Sequence, residues 1–380
     1  MSGGDSALSL GGDASVHGWW VLPASAVRAA ALVVLASTGV ATAEDYGPDL
    51  ETHLLLIERY LSGDVETPVR AAVSWGPIWI RSTTRRLLDW CERSPGGVTA
   101  ARVRTAQGAF LLHTHAVLVS QDAGLALGRT GHEEHVKAAL GLLRWFRDRY
   151  REGTWPREAR GLRPRDFYLA LASAELIMAR PDTARAVAAE SLRSDGHDAQ
   201  MRLLAGCARE TEAVIRGGHR LDKELRDAER YFGEALDDDP ALLEARLRLG
   251  WVLVRRGRAE EARPLLRTVA ETPGDPGRRA LAWLFLGKAH EEREDARAAI
   301  EAYRRAIEIA PHFQVAHVAL AHALEGHAGD EASREVLVAF FLESSRSWVR
   351  DDPWNAYLFG PPEMRLGRPF EALHEKLCGR

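Results

Sequence analysis

Histidines are the first residues in this 380-residue chain whose type and spacing could do chemistry. Two pairs stand close together, His113 with His115 and His132 with His135. On a helix, residues two apart project to different sides, so His113 and His115 do not share a metal ion. Residues three apart share a face, which makes His132 and His135 the better pair. The run His132-Glu133-Glu134-His135 still lacks the four-residue spacing of the helical zinc motif. Surface or helix-start histidines are therefore the plainer reading. His312, His317, His322 and His327 recur every five residues, and each step turns about 140°, so the series winds round its helix and makes no metal ladder. The chain contains no phosphate-cradling glycine loop, no G-x-S-x-G and no paired Cys/His spacing. No catalytic residue, metal or cofactor is expected on these grounds. A metal-dependent hydrolase with its active site in residues 44–160 is the alternative against which the rest is weighed.

The three cysteines, Cys91, Cys207 and Cys378, are too few for a disulfide framework and form no C-x-x-C pair, so buried or idle thiols are expected. A formal net charge of −4 supplies no basic field for nucleic acid. Of the 50 basic residues only four are lysines, but the arginine-rich runs, such as Arg255-Arg256-Gly257-Arg258, are interleaved with glutamate.

The elements that would position any site are helices. Hydrophobic residues make up 46% of the chain and aromatics 7%, and most of the 17 prolines fall between apolar-periodic segments, as in helices joined by short turns. A repeat emerges at residues 280–313, where Trp283, Leu286, Gly287, Ala299, Tyr303, Ala306 and Pro311 occupy relative positions 4, 7, 8, 20, 24, 27 and 32. Small Gly287 and Ala299 suit a helix crossing, Trp283 and Tyr303 would fill the space between hairpins, and Pro311 stops the second helix. Residues 243–276 repeat the design with Leu249, Gly250, Gly257, Ala262, Leu266 and Val269. Ala228, Phe232 and Ala235 stand 34 residues before the last three. Their first helix is expected at 199–215, across a Gly217-Gly218 turn. Weaker units lie at 165–196 (Tyr168, Leu171, Ala172, Ala184, Ala188) and at 314–347 (His317, Leu320, Ala321, Leu324), the latter degenerate as a terminal cap should be.

The 280–313 unit resembles the tetratricopeptide repeat at nearly every signature position. The resemblance, extended over 165–347, implies an all-α fold: a right-handed solenoid of antiparallel helical hairpins, the tetratricopeptide-type superhelix. It also implies that the first helix of each hairpin lines a concave groove that holds another protein or peptide. The inward stripe would then be Glu244, Leu247, Trp251 and Val254 in one unit, Leu281, Leu284, Lys288 and Glu291 in the next, and Val315, Val318, His322 and Glu325 in the last. The competing role of Leu247, Leu284 and Val318 is packing within the stack. The family's carboxylate clamp is not reproduced, since Trp251 and Lys288 stand where asparagine is expected.

Residues 44–160 also read as helical, near 49–61, 99–119 and 132–151, with Trp75-Gly76-Pro77-Ile78-Trp79 as an irregular crossing and no signature glycine to set a register. The tail, 348–380, carries Trp354, Tyr357 and Phe359 and reads as an ordered capping piece. At the other end, residues 29–41 form an apolar run too short to span a bilayer, preceded by Arg28 and followed by Ala41-Thr42-Ala43 and then Glu44. That is the layout of a signal peptide cleaved after Ala43, which leaves no membrane span in the mature chain; the alternative is an uncleaved N-terminal helix that anchors the protein. The sequence as a whole thus predicts an exported protein, periplasmic or at the cell surface of a bacterium, that organises a partner protein and is not itself an enzyme.

Overall fold

The computed structural model describes residues 50–93, 97–122, 129–157, 161, 163–194, 196–216, 220–343, 353, 357 and 375. The side chains of 118–122, 129–133 and 341–343 lie outside it, and so do the signal segment, Trp354, Phe359, Cys378 and the Gly217-Gly218 turn. Helices α1 (Leu50–Leu61), α2 (Glu66–Val73), α3 (Pro77–Arg93), α4 (Ala100–Asp122) and α5 (Arg129–Arg151) come first. Five hairpins follow: α6 (Pro164–Ile177) with α7 (Pro181–Ser194), α8 (Ala199–Arg216) with α9 (Leu221–Asp238), α10 (Leu243–Arg255) with α11 (Ala259–Glu271), α12 (Pro276–Glu291) with α13 (Ala296–Ile309), and α14 (Gln314–Ala328) with α15 (Asp330–Glu343). Every element is a helix and no strand occurs among the described residues. None of the described helices is long and apolar enough to cross a membrane.

From α5 onward each helix packs on the next, and first helices also meet first helices, α6 on α8, α10 on α12 and α12 on α14. That connectivity is a solenoid of stacked hairpins, each burying an apolar stripe against its neighbours. The two helices of a hairpin approach closely at a glycine. A Cβ on Gly206 would lie 2.4 Å from the Phe232 ring, one on Gly250 2.6 Å from Leu266, and one on Gly287 2.1 Å from the Tyr303 ring. Tyr303 therefore fills the space inside its own hairpin, against Gly287, where the sequence reading put it between hairpins. Gly287→Leu should overpack this crossing and lower stability by about 1–3 kcal/mol in a urea titration. An unchanged midpoint would mean that the two helices separate there.

The turns within hairpins share a second feature. Ala179, Gly257 and Glu294 each stand two residues before the second helix, and each has positive φ, +54°, +71° and +61°. The left-handed residue lets the chain reverse between helices, and glycine occupies it without strain at one of the three positions. Its recurrence at Ala179 puts α6 and α7 in register with the later hairpins. Side-chain caps start the helices that follow the loops: Asp275 accepts the Arg278 N–H, Asp295 the Ala298 N–H at 3.1 Å, and Asp198 the Met201 N–H at 3.1 Å. The last helix of the 280–313 unit ends at Ile309, just before Pro311.

The N-terminal helices are arranged otherwise. Helix α4 runs at the centre and is packed by α1, α2, α3 and α5. Helices α2 and α3 were not legible as helices in the sequence, and the segment read as an irregular crossing divides between a break at Trp75-Gly76 and the first turn of α3. Proline at a first helical position needs no N–H donor, so Pro77 starts a helix there and does not interrupt one. A Cβ on Gly108 would lie 2.7 Å from Ile57, so glycine sets the approach of α1 to α4 just as it does in the hairpins.

Candidate functional site on the first-helix face

Three first helices, α8, α10 and α12, bring a set of charges together where the sequence reading expected a groove. Arg248, on α10, is 3% exposed. Its Nε donates to Glu244 Oε1 at 2.8 Å, one turn earlier on the same helix, and its Nη1 to Glu210 Oε2 on α8 at 2.9 Å. Glu244 also pairs with Arg278 Nε on α12 at 3.3 Å. Two guanidinium groups thus face two carboxylates, a balanced set spread over three hairpins. Burial works against the charge on Arg248, but Cys207, Glu244, Tyr357 and Glu210 around it outweigh that and hold its pKa well above the ordinary arginine value.

The fourth side of this cluster is Tyr357, from the C-terminal part of the chain. Its carbonyl accepts Arg248 Nη2–H at 2.8 Å, and its hydroxyl donates to Glu210. The Arg248 guanidinium lies 4.2 Å from the Tyr357 ring centroid, within cation–π range. Phe285, on α12, meets the same ring edge-on at 5.4 Å and carries Trp251 stacked on its other side at 4.4 Å. Burial first, and then the Glu210 carboxylate, hold the Tyr357 phenol protonated, its pKa far above the usual phenol range.

The predicted groove residues fall into three groups against this geometry. Leu247, Val254, Leu281 and Leu284 are core residues, 0–4% exposed, and offer no free surface. Glu244 is buried in the ion cluster. Trp251, half-buried, borders the Tyr357 site, and Lys288 and Glu291 are ion-paired at 2.8 Å and partly exposed. Val318, His322 and Glu325 are exposed, and Val315 is half-buried. The residues missed by sequence reasoning are Glu210, Arg248, Arg278, Phe285 and the placement of Tyr357. Glu244 and Arg248 at four-residue spacing were the available signal, but nothing in the sequence places Glu210 or Tyr357 beside them.

Three of the histidines of residues 44–160 are core residues, and His115 is half-buried. His53, His113 and His135 are 0%, 0% and 1% exposed, and only the side chain of His132 falls outside the described residues among those singled out. The reading of surface or helix-start histidines is thus corrected for His113 and His135, whose partner is each other. A carbonyl only accepts, so His135 donates Nε2–H to Ala72 O at 3.1 Å and presents an acceptor at Nδ1. His113 Nδ1, 2.9 Å away, then donates, and its Nε2 lies 3.3 Å from the oxygen of the Thr84 hydroxyl, which itself donates to the Ile80 carbonyl at 2.8 Å. Both nitrogens of both rings thus face polar atoms of the protein. His53 packs edge-on to Trp75 and to His113, at 5.3 and 5.9 Å between centroids. No group of three side chains able to hold a metal ion occurs among the described residues. A cleft of about 500 Å³ in this region is lined largely by Leu54, Ile57, Leu61, Trp90 and Ala101, well apart from the histidine cluster in composition. Cys91 and Cys207 are buried free thiols, each pushed up to about 12 by burial, which keeps them from acting as nucleophiles near neutral pH.

Comparisons with known proteins bear on the repeat array. Two family models described as tetratricopeptide repeat match the chain, over residues 220–284 and 280–313. Among solved structures, MamA 41-end from Desulfovibrio magneticus RS-1 is 22% identical at a TM-score of 0.39, over 47% of this chain and 95% of that one. A structure of MamA AMB-1 is 22% identical at a TM-score of 0.37, over 46% and 95%. No curated protein matches the chain. Residues 220–313 of the chain thus carry tetratricopeptide repeats.

Proposed function

We propose that the protein is an exported scaffold that holds another protein or peptide against the first-helix face of its repeat array. The observation that carries this reading is the partly exposed part of that face, where half-buried Trp251 on α10 is followed by the ion-paired Lys288 and Glu291 on the neighbouring first helix α12. Repeat stacks present such a face as a continuous surface, and aromatic side chains dominate binding sites of this kind. In this reading 165–347 is the binding array, 44–160 a helical N-terminal extension, 348–380 a capping segment, and no step of catalysis is assigned. Val318, His322 and Glu325 extend the face at its C-terminal end.

Trp251→Ala tests it. A half-buried tryptophan should lose about half of the ~3–5 kcal/mol that a core tryptophan loses, so the variant stays folded. Capture of the partner from the native envelope should fall at least tenfold per folded molecule. Capture that tracks the folded fraction alone would remove Trp251 from the site. Export rests on Arg28, the 29–41 run and Ala41-Thr42-Ala43. N-terminal sequencing of the envelope form should read Glu44-Asp45-Tyr46. Recovery of the intact chain from the cytosol would sink that part of the proposal.

A further inference from the structure

We infer that the Arg248 cluster is a binding site for a tyrosine in a polypeptide segment, filled in this structure by the chain's own Tyr357 and able to take the same residue from a partner. The inference rests on the scaffold reading above and names the chemistry of its ligand. The contacts of Tyr357 named above are ones that a ligand residue would make. The phenol hydroxyl donates to Glu210, the ring lies 4.2 Å from the Arg248 guanidinium and 5.4 Å from Phe285, and the main-chain carbonyl accepts from Arg248 Nη2. A side chain and its own carbonyl are thus read together by three consecutive first helices, the combination that fixes a peptide in a groove.

Simple apolar capping would not need such a site. Tyr357 is 6% exposed and reaches the two-carboxylate, two-arginine cluster with a side chain that fills an aromatic slot and also gives a hydrogen bond to a carboxylate. Phenylalanine would fill the slot and leave that Glu210 oxygen without the hydroxyl. Buried polar groups discriminate strongly against an analogue that cannot pair with them. The phosphorylated residue is disfavoured as well, since its charge would face Glu210.

The test uses the full chain carrying Tyr357→Ala and a fluorescein-labelled peptide with this chain's residues 351–363. Fluorescence anisotropy should report binding of the peptide to the variant and at least tenfold weaker binding to the parent, where Tyr357 competes. Peptides with Phe or Ala at the position of Tyr357 should bind the variant at least tenfold more weakly than the tyrosine peptide. Saturating tyrosine peptide should also raise the melting temperature of Tyr357→Ala and leave that of the parent unchanged. A folded variant that ignores the peptide, or takes the Tyr, Phe and Ala forms alike, overturns the inference. If Tyr357→Ala does not fold, Tyr357→Phe replaces it. Its weaker resident should admit the tyrosine peptide more readily than the parent does, and equal binding to both overturns the inference. A native partner captured through Trp251 on a protein that never takes the peptide would leave the scaffold reading standing and remove this one alone.

Discussion

Arg248→Met should lower the unfolding free energy by about 3–5 kcal/mol, the loss expected when one member of a buried ion network is removed and its counter-charges stay behind. Methionine approximates the stem of arginine, so little volume is lost and the effect isolates the charge. The neighbours decide how large it is. Glu244 retains Arg278 at 3.3 Å, whereas Glu210, 5% exposed, retains the Tyr357 hydroxyl on this face. Most of the cost should therefore sit on Glu210. In a double-mutant cycle, adding Glu210→Gln to Arg248→Met should recover a substantial part of the loss, because it removes the stranded charge and keeps the amide shape. Arg248→Lys should fall between parent and Arg248→Met, since an ammonium cannot reproduce three directed bonds to Glu244, Glu210 and the Tyr357 carbonyl. Urea titrations of the parent and the four variants provide the check. Additive losses for Arg248→Met and Glu210→Gln would mean that the two residues are not coupled and that the cluster is a set of independent contacts.

The repeat array was readable from sequence because its signature residues answer local steric demands. Gly287 is small because the Tyr303 ring lies where a Cβ would be, and Pro311 follows the helix that it ends. Such demands recur at a fixed spacing and so betray themselves without any knowledge of the fold. Gly206 meets the same demand against Phe232, but the spacing between them is lengthened, and the period hid it. In the N-terminal region the same physics operates through Gly108 and Ile57, 51 positions apart in the chain, with no repeat to reveal it.

The groove was less readable, for a different reason. A stripe at i, i+3, i+7 of a first helix borders both the concave face and the interface with the neighbouring hairpin, and the pattern does not say which residues go to which. Leu247 and Leu284 went into the core, while Trp251 stayed at its edge. Arg248 follows no groove or repeat pattern, and its burial depends on Glu210 and Tyr357, 38 and 109 positions away. Long-range charge neutralisation leaves no periodic trace. The histidines illustrate the same limit, since His113 and His135 are paired across 22 positions by the packing of α4 on α5.

That histidine cluster gives the protein an expected acid sensitivity confined to its N-terminal helices. Burial lowers the pKa of His53 from 6.5 to about 4, the Thr83 backbone offsetting only part of the shift, and burial together with His135 and His53 places His113 well below 6.5. The rings of Trp75 and His113 stand edge-on against His53. A histidine with a lower pKa folded than unfolded takes up its proton preferentially in the unfolded chain. Its effect is absent above the unfolded value of 6.5, grows as pH falls towards the folded value of about 4, and then levels off. By pH 4.5 the contribution from His53 alone should reach about 2–3 kcal/mol of lost stability. His53→Phe keeps a ring against Trp75 and His113 and removes the titration. Urea midpoints measured at pH 7.5 and 4.5 should fall less for the variant than for the parent by that amount, while far-UV circular dichroism before the transition stays the same. Equal falls would mean that His53 is protonated in the folded protein, and hence that water or a carboxylate reaches the space between α1 and α4.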